Sequence, residues 1–277
     1  MLCTVVLFAG TPLSVMAQSE TTSILHLSQT IELPGVKGEF DHFGYDGERQ
    51  RLFLAAEDNG TIEMIDLKQG RRIQSLPGFK SPHSILVRRG STNMLVTDSG
   101  PDASALVNVS SFENMRRLNL ALGANCILFD GRRSRLYVTG GGDRVGQKTS
   151  TLQAVDPNTG KVLRSVDVNA LHLQPMALDE GTGRLFVNLA DQEAIGIFDS
   201  DSLARTATWK IPQGHNNSPI AFDSAHGRLF VISREPGILL QLNADHGALD
   251  ASIATPADPD DMDYDPKTQR IFVPGDG

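Results

Sequence analysis

A four-residue core recurs six times along the chain: "RLFL" from Arg51, "NMLV" from Asn93, "RLYV" from Arg135, "RLFV" from Arg184 and again from Arg228, and "RIFV" from Arg270. The intervals are 42, 42, 49, 44 and 42 residues. Five positions before each core stand Asp46, Arg88, Asp130, Asp179, Asp223 and Asp265, so Asp holds that place in five copies of six. Unrelated strands have no reason to keep such a register. A tandem period near 42 residues is that of propeller blades. From Ser23 onwards no stretch sustains the 3.6-residue rhythm of a helix.

One period contains four short strands. In the first copy, residues 42–45 form an apolar and aromatic strand, and "DGERQ" is a turn. The core strand follows, and Asn59-Gly60 supplies a favoured hairpin dipeptide. Residues 61–67 alternate inward Ile62 and Met64 with polar neighbours, "KQG" turns again, and residues 72–76 close the unit. Four antiparallel strands cannot bury both faces of their own sheet, so the copies must stack around an axis. The expected fold is all-β: a β-propeller with six recognisable blades.

The Asp-x-x-x-x-x-Leu-Phe/Tyr-Val cores resemble those of the YVTN-repeat, YncE-like, β-propeller family, over nearly the whole chain. The resemblance implies seven blades in a complete protein, with the sixth here truncated. "IELPG" at 31–35 parallels "IQSLPG" at 73–78, so Leu25 to Leu33 is expected to be the outer strand of that seventh blade. By the repeat period, about 60 residues in all are then expected after Gly277, finishing the sixth blade and supplying the inner strands of the seventh. A six-bladed ring lacking one strand is the alternative.

The first 17 residues, "MLCTVVLFAGTPLSVMA", are uncharged and mostly apolar, too short to span a membrane, and Val15-Met16-Ala17 places small or apolar residues at the usual cleavage offsets. They read as a secretory signal cut after Ala17, which leaves residues 18–277 as a single propeller domain in the periplasm or outside the cell. An uncleaved anchor is the alternative. Cleavage leaves Cys126 as the one cysteine, so no intrachain disulfide can form; it reads as a small buried residue. Net charge is −8 with no block of Lys or Arg, which argues against nucleic acid or an anionic membrane as partner.

In a propeller the residues just before each innermost strand gather at one mouth of the central channel. That column reads Asp41, His83, Asn125, Gln174, Ser218 and Asp260, and the next reads His42, Ser84, Cys126, Pro175, Pro219 and Asp261. The first column is polar throughout yet varies from blade to blade, which a purely structural position would not do. Asp41, His42, His83, Asn125, Gln174, Ser218, Asp260 and Asp261 are therefore the candidate ligand-binding residues.

A divalent cation is a possible cofactor. Asp41, Asn125 and Asp260 offer oxygen ligands suited to Ca²⁺ or Mg²⁺, and two histidines with a carboxylate suit Zn²⁺ or Fe²⁺. A hydrated polar funnel without metal satisfies the same residues. The Asp46 series and the series Asp66, Asn108, Asp156, Asp199 and Asn243 read as caps of turns. "GGGDRVGQKTS", 140–150, is a longer hairpin loop placed to reach a rim, and His215 and Asn216 lie where they can overhang the mouth. Asn59, Asn108 and Asn216 match the glycosylation sequon. Serine-hydrolase elbows, HExxH, paired CxxC and dinucleotide fingerprints are absent from the sequence.

The expected function is that of an exported, non-enzymatic propeller that binds a small molecule, a peptide or a protein partner at the channel mouth. The alternative is a metal-dependent, lactonase-like hydrolase, with Asp41, Asn125 and Asp260 as ligands and His42 or His83 as general base. An accessory role in a periplasmic redox system is a third, without cofactor residues to support it.

Overall fold

Hydrophobic alternation along the second and third strands of each repeat dictates the packing. The computed structural model describes residues 27–113 and 115–275, of which 31–275 belong to one compact unit. The proposed signal at 1–17 lies outside the described residues.

Blade one comprises β1 (Phe43–Asp46), β2 (Arg51–Ala56), β3 (Thr61–Asp66) and β4 (Arg71–Pro77). Blade two has β5 (Pro82–Val87), β6 (Asn93–Asp98), β7 (Ala105–Asn108) and the short β8 (Arg116–Arg117). Blade three has β9 (Ile127–Asp130), β10 (Arg135–Gly141), β11 (Ser150–Val155) and β12 (Val162–Val168). Blade four has β13 (Leu173–Asp179), β14 (Arg184–Leu189), β15 (Ala194–Asp199) and β16 (Arg205–Lys210). Blade five has β17 (His215–Asp223), β18 (Arg228–Glu235), β19 (Ile238–Asn243) and β20 (Leu249–Ala254), and blade six is the pair β21 (Asp263–Asp265) and β22 (Arg270–Phe272). Every sheet is antiparallel with strands in sequence order. Each first strand touches the first strand of the next blade, so these six strands form the hub. The architecture is the expected all-β propeller.

Period-two alternation sends each strand's residues to opposite neighbours. On β6, Met94 and Val96 pack with Phe53 and Ile62 of blade one, whereas Leu95 packs with Leu136 and Val138 of blade three. On β14, Leu185 and Val187 face Tyr137 and Leu152, while Phe186 faces Leu229 and Val231 of blade five. Four such cores lie between successive blades, so no blade holds its own core.

Polar cross-links repeat as well. Asp46, Asp130, Asp179, Asp223 and Asp265 each accept backbone N–H bonds from the turn that follows, at 2.9–3.1 Å for the shorter bond. Asp66, Asn108, Asp156, Asp199 and Asn243 do the same at the next hairpin, at 2.7–2.9 Å. The arginine that opens a core strand reaches a carbonyl of the following blade. Arg51 donates to Val109 at 3.2 Å, Arg135 to Ser200 at 3.2 Å and Arg184 to Ala244 at 2.6 Å.

Residues 27–33 pair with no strand among the described residues, so the expected closing strand over Leu25 to Leu33 has no ladder partner here; its residues 25 and 26 lie outside the described residues. Alternation alone does not make a strand without a ladder partner in register. After a turn at Pro34-Gly35, the chain instead lies along blade one. There the Pro34 carbonyl accepts from Arg72 at 2.8 Å and the Glu39 N–H donates to Asp58 at 3.0 Å.

Candidate functional site

The two columns lie at the starts of the innermost strands and are held by the ladders themselves: His83, Gln174 and Ser218 fall within β5, β13 and β17, whereas Asp41, Asn125 and Asp260 precede β1, β9 and β21. Pairing runs past the formal start of β1, since Asp41 N–H donates to Ala55 O at 3.0 Å and Ala55 N–H to His42 O at 3.3 Å. Blade three repeats this: Asn125 N–H donates to Thr139 O at 2.9 Å and Thr139 N–H to Cys126 O at 3.1 Å. In blades two, four and five the register shifts at this level, around His83-Ser84, Gln174-Pro175 and Ser218-Pro219. Such irregularities re-aim side chains beside functional sites. Pro175 and Pro219 reinforce the break, because proline cannot donate to a ladder.

The columns open into successive cavities. One of about 230 Å³ is lined by Glu57, His83, Asn125 and Gln174, with Arg144 and His172 also in its wall. A second of about 210 Å³ is lined by His42, Ser84, Cys126, Pro175 and Asp261. A third of about 540 Å³ lies between blades one and six, with Asp41, His42, Asp260 and Asp261 in its wall. The structure thus brings His83, Asn125 and Gln174 to one cavity, and Asp41, His42, Asp260 and Asp261 to another. Ser218 is buried and donates to Gln174 at 3.3 Å.

Imidazoles and carboxylates alternate across the hub. Asp261 lies 3.6 Å from His42 Nδ1, His42 Nε2 lies 3.3 Å from Asp41, and the other Asp41 oxygen bonds His83 Nδ1. His83 Nε2 faces Glu57 at 3.9 Å, and Glu57 accepts from the Ser81 hydroxyl at 2.6 Å. Burial opposes charge on Asp41, yet the hydrogen bond to His83 and attraction to His42 hold its carboxyl below the usual carboxylate range. Burial likewise opposes charge on His42, but Asp261, the Cys126 sulfur and Asp41 outweigh it and push the imidazole up to about 11.

Of the three candidate metal ligands, Asp41 is bound to His83 and Asn125 shares a cavity wall with His83. Asp260 is engaged by Arg234 at 2.8 Å, and Asp258 lies 2.5 Å from the same guanidinium. Among the described residues, Asp41, Glu57 and His83 are the ones whose ligand atoms cluster within 4.8 Å of one another.

Glu57 escaped the sequence reading. It follows β2, six positions after Arg51, where other copies carry Ser99, Gly141, Ala190 and Arg234. Glu57, Ser99 and Gly141 all line the 230 Å³ cavity, so this third varied column would have found it. The 140–150 loop contributes Gly140, Gly141, Arg144 and Val145 to that wall. Gly142 makes its close approach possible: at φ +84°, a Cβ there would sit 1.9 Å from Leu171 O. His172 bonds Asp143 of the loop, and His215 pairs with Glu193 at 2.7 Å on the exposed rim.

No family model matches the chain, and no curated protein does. Solved structures resemble it in fold. A chain of the mitotic checkpoint complex is 12% identical with a TM-score of 0.73, over 99% of this chain and 82% of that one. The hydrazine synthase of Kuenenia stuttgartiensis is 13% identical with a TM-score of 0.65, over 83% and 82%. A luciferin-regenerating enzyme is 13% identical with a TM-score of 0.64, over 84% and 82%. At such identities the likeness carries the propeller fold and nothing of function.

Proposed function

We propose that this chain is an exported propeller of the YVTN-repeat, YncE-like kind. In this reading it binds a small polar molecule, or a side chain of a docked peptide or protein, at the mouth of its hub without transforming it. One observation carries the reading: His83, Asn125 and Gln174, from three blades, line a single cavity of about 230 Å³. Polar groups converging in one concavity are what a specific site needs. Export rests on the apolar, uncharged run at residues 1–17. Among the described residues no helix is long and apolar enough to cross a membrane.

The test is a thermal-shift screen of the full chain against small carboxylates, amino acids and sugars. The expected result is a ligand whose shift disappears in both Asn125→Ala and Gln174→Ala. A shift that survives both substitutions places binding elsewhere and ends the reading. A metal-dependent, lactonase-like hydrolase is the second reading, favoured by the clustering of Asp41, Glu57 and His83.

A further inference from the structure

We propose that Glu57 and His83 hold a divalent metal ion at the hub mouth, with Asp41 as the carboxylate that orients the histidine. The argument starts from His83. Its side chain is 8% exposed, and its Nδ1 bonds Asp41. A buried imidazole that gives its Nδ1–H to a carboxylate keeps its lone pair on Nε2. Among the described residues Nε2 makes no hydrogen bond; the atom it faces is Glu57 Oε1, 3.9 Å away.

An imidazolium shared between the two carboxylates would account for the same three residues, but not for that gap. A charged donor this deeply buried is drawn to about 2.7–2.9 Å from a carboxylate oxygen. Two electron-rich atoms held 3.9 Å apart leave room for a cation between them. Zn²⁺ takes imidazole nitrogen and carboxylate oxygen at about 2.0–2.2 Å. Tetrahedral donors then stand about 3.4 Å apart by the same bond lengths, so a closure of about half an ångström completes the pair.

The surroundings fit a metal. A histidine ligand commonly gives its second ring N–H to a carboxylate, the role open to Asp41 here, and ligating carboxylates are themselves hydrogen-bonded. Ser81 does this for Glu57 at 2.6 Å. Asn125 lies in the same cavity wall and offers an amide oxygen, and the cavity leaves space for water or a ligand at the open position. Arg144 also lines the cavity, yet it makes no ion pair with Glu57 among the described residues, so no guanidinium occupies that carboxylate's oxygens. A mixed nitrogen and oxygen donor set suits Zn²⁺ and other late divalent ions better than Ca²⁺.

The inference rests on the mouth being the working surface, but metal binding is measured without any ligand. Purified full chain, stripped with EDTA, is titrated with Zn²⁺ by calorimetry and with Co²⁺ by visible absorption. One equivalent is expected, with the d–d bands of low-coordinate cobalt. Glu57→Gln and His83→Gln should weaken binding at least 100-fold, and Asp41→Asn roughly 10–100-fold. Asp260→Asn, whose partner is Arg234, should leave it unchanged. Absence of stoichiometric binding, or binding that survives Glu57→Gln, overturns the proposal. Circular dichroism reports folding; if His83→Gln does not fold, Glu57→Gln, at a side chain 30% exposed, decides alone. A small molecule that binds the mouth of a protein shown to take no Zn²⁺ would sink this inference and leave the functional reading standing.

Discussion

The two ends of an inner strand do different work with the same kind of side chain. Asp46 closes β1 at one end; Asp41 precedes it at the other. In five blades the residue at the Asp46 position accepts N–H bonds from its own turn, so the same chemistry repeats around the hub. At the Asp41 end five residue types stand at the six positions, and partners are drawn from different blades: His83 for Asp41, Ser218 for Gln174, Arg234 for Asp260. A position bound to its own backbone has one solution, and repetition copies it. A position bound to another blade is free to vary, so unlike residues in one column mark where the fold makes no demand.

The largest effect should come at the turn end. Asp130 is fully buried and accepts from Arg133 N–H at 2.9 Å and from the Tyr137 hydroxyl at 3.1 Å. Burial first, and then the Asp130 charge, push the Tyr137 hydroxyl up to about 12, so it stays a neutral donor. Asp130→Ala takes the buried acceptor from the Arg133 N–H and guanidinium, while the Tyr137 hydroxyl keeps the Ser200 carbonyl at 3.0 Å, and should cost on the order of 2 kcal/mol in urea unfolding. A loss below about 1 kcal/mol would erase the distinction between the two ends.

The acid limb of stability sharpens the comparison. Burial opposes the charge of Asp46, Asp179 and Asp223, but hydrogen bonds from Arg49, Thr182 and His226, first among several, hold all three below the usual 3.8. With folded values depressed, the unfolded chain binds more protons. The stabilisation is therefore complete above 3.8 and is lost as pH falls through the folded values. Urea midpoints taken between about pH 5 and pH 2.5 should fall steeply in the native chain and less steeply in Asp179→Asn. An unchanged slope would show that this carboxylate carries no preferential ionisation in the folded state.

The sequence displayed the repeat because a period near 42 residues is one-dimensional information, and alternation told which residues would be buried. The expected turn caps and the order of inner strands are of that kind. What it concealed depends on another blade. Arg51, Arg135 and Arg184 look like solvated strand ends, yet they reach carbonyls 58, 65 and 60 residues away. Asp260 looks like a partner for Asp41 until Arg234, at the end of β18, is placed beside it. Glu57 is concealed differently: it stands where the second strand ends, in a column of Glu57, Ser99, Gly141, Ala190 and Arg234 that shares neither residue type nor polarity. A closing strand at 25–33 rests on local resemblance alone, and a ladder requires a partner that local resemblance does not supply.

The smallest stability effect belongs to the mouth, and it discriminates best. Gln174 accepts one bond from Ser218 at 3.3 Å, a length at which the interaction is weak, and its amide otherwise lines an open cavity. Gln174→Ala should therefore change unfolding free energy by no more than about 0.5 kcal/mol. Ser218, which is 1% exposed, loses an acceptor that it holds only at 3.3 Å, so little is forfeited. A loss above about 2 kcal/mol would mean that the fold needs Gln174 as it needs Asp130, and the variation of its column would then reflect six separate structural solutions. A near-neutral result would leave binding as the reason for a polar group at that position.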